Sequence, residues 1–358
     1  MRSKSNVLLY NITAVVIGLV ISGLLLLFMK VNPLDVCGQA LGKIVTDQYN
    51  LGEILVKATP LIFTSLAFAF TYNANLFNIG AQGQFTMGAI IAVALSLGLQ
   101  DSLPTWLLLL LVLLGSFAGG AARGRPLGGL IGGAKAKFHA NEFLVSMMST
   151  YVITNFMDYL LRTSLQETKA EYMQTDAISS SAYLPNIIPG TRVHLGFLIA
   201  VAAAVAAWIL LNKTQLGFQI RAVGKNADAS RLGGISSGKI YVISFMIAGG
   251  LAGMAGLTEI NGVQHMLLRD FNASIGSYGI GIAILANGNP LGCIFASILF
   301  GFLNVMGTTM GRLPGLNIPA SIIELIEGIV MICVIISYAV RYAMDVKKKK
   351  AMMRKAGV

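Results

Sequence analysis

The chain has 358 residues, of which 55% are hydrophobic and only 11% charged, and its mean hydropathy is +0.73. A soluble domain carries about 25% charged residues and a single core rarely grows past ~250–300 residues, so this composition excludes a soluble globular protein. The net charge of +11 invites a nucleic-acid reading, which the placement of the charges along the chain makes unnecessary.

Long uncharged runs without strand-like alternation read as transmembrane helices rather than a barrel. Ten spans are expected, giving an all-α polytopic membrane fold in one domain, 1–358. The first, 7–29, outlasts a signal-peptide apolar core, and "FMKVNPLD" offers no cleavage site, so it is read as a retained helix. Spans follow at 53–73, 79–98, 105–122 and 143–161. The polar loop 162–193, with "SSS" at 179–181, Pro185 and Pro189, is either a solvated surface or a docking surface for an external binding protein. Spans 194–211 and 239–260 flank a basic segment, 212–238. Span 273–288, within and just past which the chain reads "SIGSYGIGIAILANGNP" (274–290), is a short or discontinuous helix; it either packs on its neighbour or marks a pathway, as interrupted spans do in transporters. Spans 290–310 and 317–340 and a basic tail, 341–358, complete the chain.

Ten spans put both termini on one side, together with segments near 74–78, 123–142, 212–238 and 289. These segments hold most of the 26 basic residues, among them Lys4, Arg123, Arg125, Lys135, Lys137, Lys213, Arg221, Lys225, Arg231, Lys239 and the run Lys347 to Lys350. The positive-inside rule therefore places both termini in the cytoplasm.

Glycine supplies 40 residues, about 11% of the chain against a usual ~7%. The spacings Gly115/Gly119 and Gly249/Gly253 suit close helix packing. Cys37, Cys293 and Cys333 are scattered, and His139, His194 and His265 do not pair at ligand spacing, so neither a disulfide framework nor a metal site is expected. No cofactor is expected either.

The basic break reads "GFQIRAVGKNADASRLGGI", 217–235. Ala222, Ala227, Ala229 and Leu232 form a small apolar stripe, Gly224 and Asn226 suit a turn, with φ > 0 expected at Gly224, and Asp228 suits a helix start. Lacking Trp and Phe within 221–235, the segment fits a partner's groove better than a membrane surface. The overlapping "GGISSGKI", 233–240, imitates a phosphate-binding loop, but Ile240 stands where the Mg²⁺-binding hydroxyl belongs and no strand precedes it. Lys239 is therefore not expected to bind nucleotide.

These motifs resemble the permease subunits of ABC importers for nucleosides and simple sugars. The cytoplasmic coupling pattern of that family is matched by Gly217, Arg221, Ala222, Gly224, Asn226, Ala229, Gly234 and Ile235, with Ser230 replacing an alanine. "NANLFNIGAQGQFTMGA", 73–89, is similar to its L-F-N-I-G-A-E-G-Q, and "NEFLVSMM", 141–148, to its N-E-V-I-S-T-L-M. "NPLGCIFASILFG", 289–301, and "IPASIIELIEGIV", 318–330, continue the likeness in order. Two departures stand out: Gln82 replaces the family's acid, and "ILANGNP" replaces L-L-G-R-N-H-P. The resemblance implies a bacterial cell-membrane subunit without catalytic residues. It also implies a second permease subunit, a cytoplasmic ATPase and an external binding lipoprotein. The coupling residues would be Arg221, Ala222, Gly224, Asn226, Arg231 and Gly234.

Uncharged polar residues in or beside the spans, Asn75, Asn78, Gln82, Gln84 and Asn287, suit either interhelical hydrogen bonds or the path of a neutral polyhydroxylated solute. Nucleosides are the leading substrate class, simple sugars the second. An ion-coupled secondary transporter needs intramembrane ionisable groups, and its best candidates, Glu324 and Glu327, are expected near an outer helix end in reach of interface water. No protease or hydrolase constellation supports an intramembrane enzyme.

Overall fold

The computed structural model describes residues 4–28, 31–122, 128–138, 140–169, 171–271, 274–313 and 320–355. Among them every regular element is helical, apart from two isolated bridges. The helices are α1 (Lys4–Phe28), α2 (Pro33–Thr46), α3 (Gln48–Asn73), α4 (Ala81–Leu99), α5 (Thr105–Ala122), α6 (Gly128–Phe138) and α7 (Glu142–Leu161). Then come α8 (Gly196–Lys213), α9 (Gln215–Lys225), α10 (Ala227–Leu232), α11 (Ser237–Glu259), α12 (Ile275–Leu285), α13 (Pro290–Gly311) and α14 (Ala320–Lys355). A single π turn, Ile260–Gln264, ends α11.

Each of the ten expected intervals contains a helix. Five of the described helices, α3, α4, α8, α11 with its π turn, and α13, are long and apolar enough to cross a membrane. A sixth crossing results if the α1/α2 pair, bent by 113°, is one broken span. Two helices were not read from the sequence. In α2, Asn32 caps the first turn by accepting from the Leu34 N–H, Pro33 occupies the position where no N–H is needed, and Val36, Ala40 and Ile44 bury one face. In α6, Lys135 reaches Glu142 at 2.6 Å, while Asn141 caps α7 through the Phe143 N–H; the first two residues of the "NEFLVSMM" motif thus start a helix. Arg123, Arg125 and His139 lie outside the described residues. The basic tail is helical as far as Lys355, as a continuation of α14.

Two compact units divide the chain. The first joins residues 1–50 and 302–358. In it α1 runs along α14, with Gly18 against the Val330 backbone, and Leu26, Val36, Ala40, Met310 and Leu313 form a small core. Glu327 is buried and accepts from Asn304 Nδ2 at 2.8 Å, which corrects the expectation of a carboxylate bathed in interface water; Glu324 is exposed.

The second unit, residues 51–301, is organised around α11, which packs on α4, α5 and α6. A Cβ on Gly88 would fall on the Gly253 backbone, and one on Gly249 on the Gly120 carbonyl, so these helices touch main chain to main chain. Gly115 and Gly119 do a different job, receiving the side chains of Leu95 and Ile91. The pairs Gly88–Gly253 and Ser96–Asn261 fix α4 and α11 parallel with one offset. The first turn of α4 therefore lies roughly 13 Å along α11 from its start. Residues 74–80 fold back beside the helices before α4 begins, and Ala74, Leu76 and Asn78 of that segment are buried.

Candidate functional site: a docking segment, an amide junction and a stitched cap

The basic segment begins where α8 ends. Thr214 closes α8 by donating to the Leu210 carbonyl and opens α9 by accepting from the Gly217 N–H. Gly217, Ile220 and Val223 bury one face of α9, whereas Phe218 and Lys225 are exposed. Gly224 is helical. This corrects the expected turn: the missing Cβ is needed because the Asn73 carbonyl at the end of α3 presses on the Gly224 backbone. The left-handed glycine is Gly234, at φ +79°. Asn226, rather than Asp228, starts α10, accepting from the Asp228 and Ala229 N–H groups at 3.1 and 3.0 Å.

Arg221 is half-buried, and its Nε donates to the Gly217 carbonyl at 3.4 Å; Ala222 is half-buried beside it. Arg231 is exposed, as is Ala229, and Leu232 is 93% exposed. The inward residue of α10 is Ser230, which donates to the Asn226 carbonyl at 2.8 Å. The apolar stripe expected from the sequence therefore faces outward at Ala229 and Leu232. Residues 233–236 form a short link to α11 and Lys239 is exposed on the first turn of that helix, so the phosphate-loop look-alike lacks its strand in the structure as well.

The uncharged polar residues gather in two places. At the first turn of α4, Asn78 Nδ2 donates to Gln84 Oε1 at 3.0 Å, with both side chains fully buried. Asn78 Oδ1 and Gln84 Nε2 have no hydrogen-bond partner among the described residues, leaving one acceptor and one donor at the junction. Next to them, Gln82 Oε1 accepts the Gly276 N–H of α12 at 2.7 Å. Gln82 thus caps a helix that has no capping side chain of its own. That accounts for its amide: an acceptor oxygen is what the N–H requires, and glutamine supplies one without a charge. Asn75 and Asn287 lie elsewhere, both left-handed (φ 56° and 54°), one just past α3 and the other just past α12. Asn73 Nδ2 joins these two chain reversals by donating to the Gly288 carbonyl at 2.9 Å.

The far end of α4 and α11 is closed by the loop before α8. Asn261, in the π turn, donates to Ser96 Oγ and to the Ala182 carbonyl, both at 2.8 Å, and its own carbonyl accepts the Leu184 N–H. Thr175 and Ile178 donate to the carbonyls of Leu267 and His265, Arg269 donates to Met173, and the Arg269 side chain lies 3.4 Å from Asp158. Arg192 makes a two-pronged pair with Glu53, at 2.8 and 2.6 Å. The hydrogen bond from Gln174 to Glu167, and those from Thr168 to Asp176, hold both carboxyls below the usual range. Burial pushes His194 down to about 4, with the charges of His265 and Arg192 adding to it, and burial with the Arg192 charge lowers His265. Asn261 and this stitching were not foreseen; a lone asparagine after an apolar run gives no sequence signal.

The profile of the family described as "Branched-chain amino acid transport system / permease component" matches residues 50–335. The chain belongs to this permease family. Relatives of the permease include a glucose ABC transporter permease protein of Haloferax volcanii, 33% identical over 91% of this chain and 86% of its own length. The guanosine ABC transporter permease protein NupP of Bacillus subtilis is 31% identical over 98% of this chain and 99% of its own. The nucleoside ABC transporter permease protein NupB of Lactococcus lactis subsp. cremoris is 30% identical over 99% and 97%. No solved structure matches. As a permease component with apolar helices long enough to span, the chain is a multi-pass membrane transport subunit rather than an enzyme.

Proposed function

We propose that this permease is the translocation subunit of an ABC importer for nucleosides, driven by a separate cytoplasmic ATPase. The carrying observation is the match along nearly the whole chain to permeases named for guanosine and nucleosides. The junction at α4 and α12 supports it: a buried amide pair with one donor and one acceptor to spare, and no charge, suits a solute rich in neutral hydroxyl and amide groups. In this reading Asn78, Gln82 and Gln84 belong to the path, while Asn75 and Asn287 shape its cytoplasmic end. The chain crosses the membrane ten times with both termini in the cytoplasm. Segment 212–238 docks in a cleft of the ATPase through Arg221, Arg231 and the exposed Leu232, and a second permease subunit and an external binding lipoprotein complete the importer. Simple sugars remain the second substrate class, favoured by the glucose permease relative.

The test is uptake by transport-deficient cells expressing the permease with its partner ATPase and binding protein. Labelled nucleosides should accumulate in an ATP-dependent way, and excess glucose or ribose should not compete. Accumulation of glucose with no nucleoside uptake would reverse the order of the two substrates.

A further inference from the structure

At the capped end of α4 and α11 lies a pocket of about 800 Å³, a volume typical of small-molecule sites. The first turn of α5 supplies Thr105 and Trp106, the loop supplies Tyr183, Asn186 and Arg192, and the chain after the π turn supplies His265. Tyr183 and His265 are already stacked, with ring centroids 3.7 Å apart and planes inclined by 17°. Trp106 is 69% exposed. The one cation of the lining, Arg192, is engaged by Glu53 through both carboxylate oxygens, so the wall offers flat rings, an amide and a hydroxyl without a net charge. An anion would have to displace Glu53, and an aliphatic polyol would meet the rings only through its C–H groups, without ring-on-ring stacking. A planar, neutral heterocycle uses all of these features, since ring stacking accepts any π face and the rim groups donate and accept.

We propose that this pocket is a reception site for the base of the transported solute, separate from the α4/α12 junction and occupied before the solute enters the path. The inference rests on the nucleoside-importer reading, which also sets this end of the molecule outside the cell. Trp106 and Tyr183 hold the heterocycle between aromatic faces, and Asn186 reads its edge. The rest of the solute stays exposed, so the site selects for the base and is indifferent to the sugar.

The experiment uses membranes containing the full chain with its partner permease, ATPase and binding protein, and a photoreactive azidopurine nucleoside. Label should map to residues 105–109 and 180–186. Trp106→Ala and Tyr183→Leu should each lower labelling at least fivefold, whereas Tyr183→Phe, which keeps the ring, should retain it. Unlabelled nucleoside should compete and free ribose should not. Label absent from both stretches, equal loss in Tyr183→Phe, or competition by ribose overturns the site. Nucleoside uptake by the wild-type complex, measured in parallel, separates the two claims: uptake with an unlabelled pocket sinks this site alone, and no uptake sinks the substrate reading beneath it.

Discussion

Residues 215–232 and residues 165–195 close opposite ends of one helical unit. The helical closure leaves Leu232 93% exposed, while the irregular one fixes the π turn through two hydrogen bonds to Asn261, at Ala182 and Leu184. Regular structure is thus no guide to which end is finished. The α9/α10 end caps its own helices and brings Gly224 against the Asn73 carbonyl, yet presents apolar and basic side chains that nothing among the described residues covers. The loop end has almost no secondary structure, and it is tied to its neighbours by hydrogen bonds through Asn261, Thr175, Ile178 and Arg269. The first leaves the outer face of its helices open, and the second closes around a pocket.

Gly224→Val breaks the comparison most severely. A side chain there collides with the α3 main chain, which cannot yield as a flexible side chain would. Uptake should fall to background while the permease still inserts. Gly234→Ala, at a left-handed position with open space around it, strains only the backbone, by about 1–2 kcal/mol, and should leave substantial uptake. Equal uptake in the two variants would refute the docking of α9 on α3.

Arg221→Glu comes next. It should abolish substrate-stimulated ATP hydrolysis, because a disrupted charge contact at an interface costs about 2–5 kcal/mol. Normal stimulation would remove Arg221 from the interface.

At the other end, Asn261→Leu removes both side-chain donors. It should cost about 1–3 kcal/mol locally, seen as faster amide exchange at residues 182–184, with ATPase contacts unchanged. At the amide junction, Gln82→Glu should keep uptake within a few-fold, since a carboxylate still accepts the Gly276 N–H, and Gln82→Leu should not.

A last effect is a pH dependence confined to the cap. Burial holds folded His194 down to about 4, below its ordinary value of 6.5, so between these values the unfolded form binds the proton and the folded form does not. Stability of the cap should fall as pH drops from about 6.5 towards 4 and level off below. Amide exchange at residues 178–184 should therefore quicken at pH 5 relative to pH 7, and in His194→Gln this pH step should shrink.

Much of the helical framework was legible because apolar runs are long and their breaks are charged. The basic segment 217–235 stood out as a motif, but the reason for Gly224 did not: the atom it meets belongs to Asn73, far off in sequence. Gln82 was legible only as a departure from the family's acid, and the Gly276 N–H that its amide oxygen accepts lies far off in sequence. α2 escaped detection because its apolar face is three residues wide and sits between two polar ends. Asn261 and the Tyr183–His265 stack depend on contacts between distant loops, which composition and spacing do not encode.

The central claim is that the uncovered 215–232 end receives the ATPase. Its most direct measurement replaces Leu232 with cysteine, and separately Ser180 at the other end, in the assembled complex, followed by treatment with a short bifunctional crosslinker in sealed vesicles. The Leu232→Cys chain should join covalently to the ATPase and the Ser180→Cys chain should not. Crosslinking of the ATPase through position 180, or none through position 232 in a complex that still transports, would contradict the account.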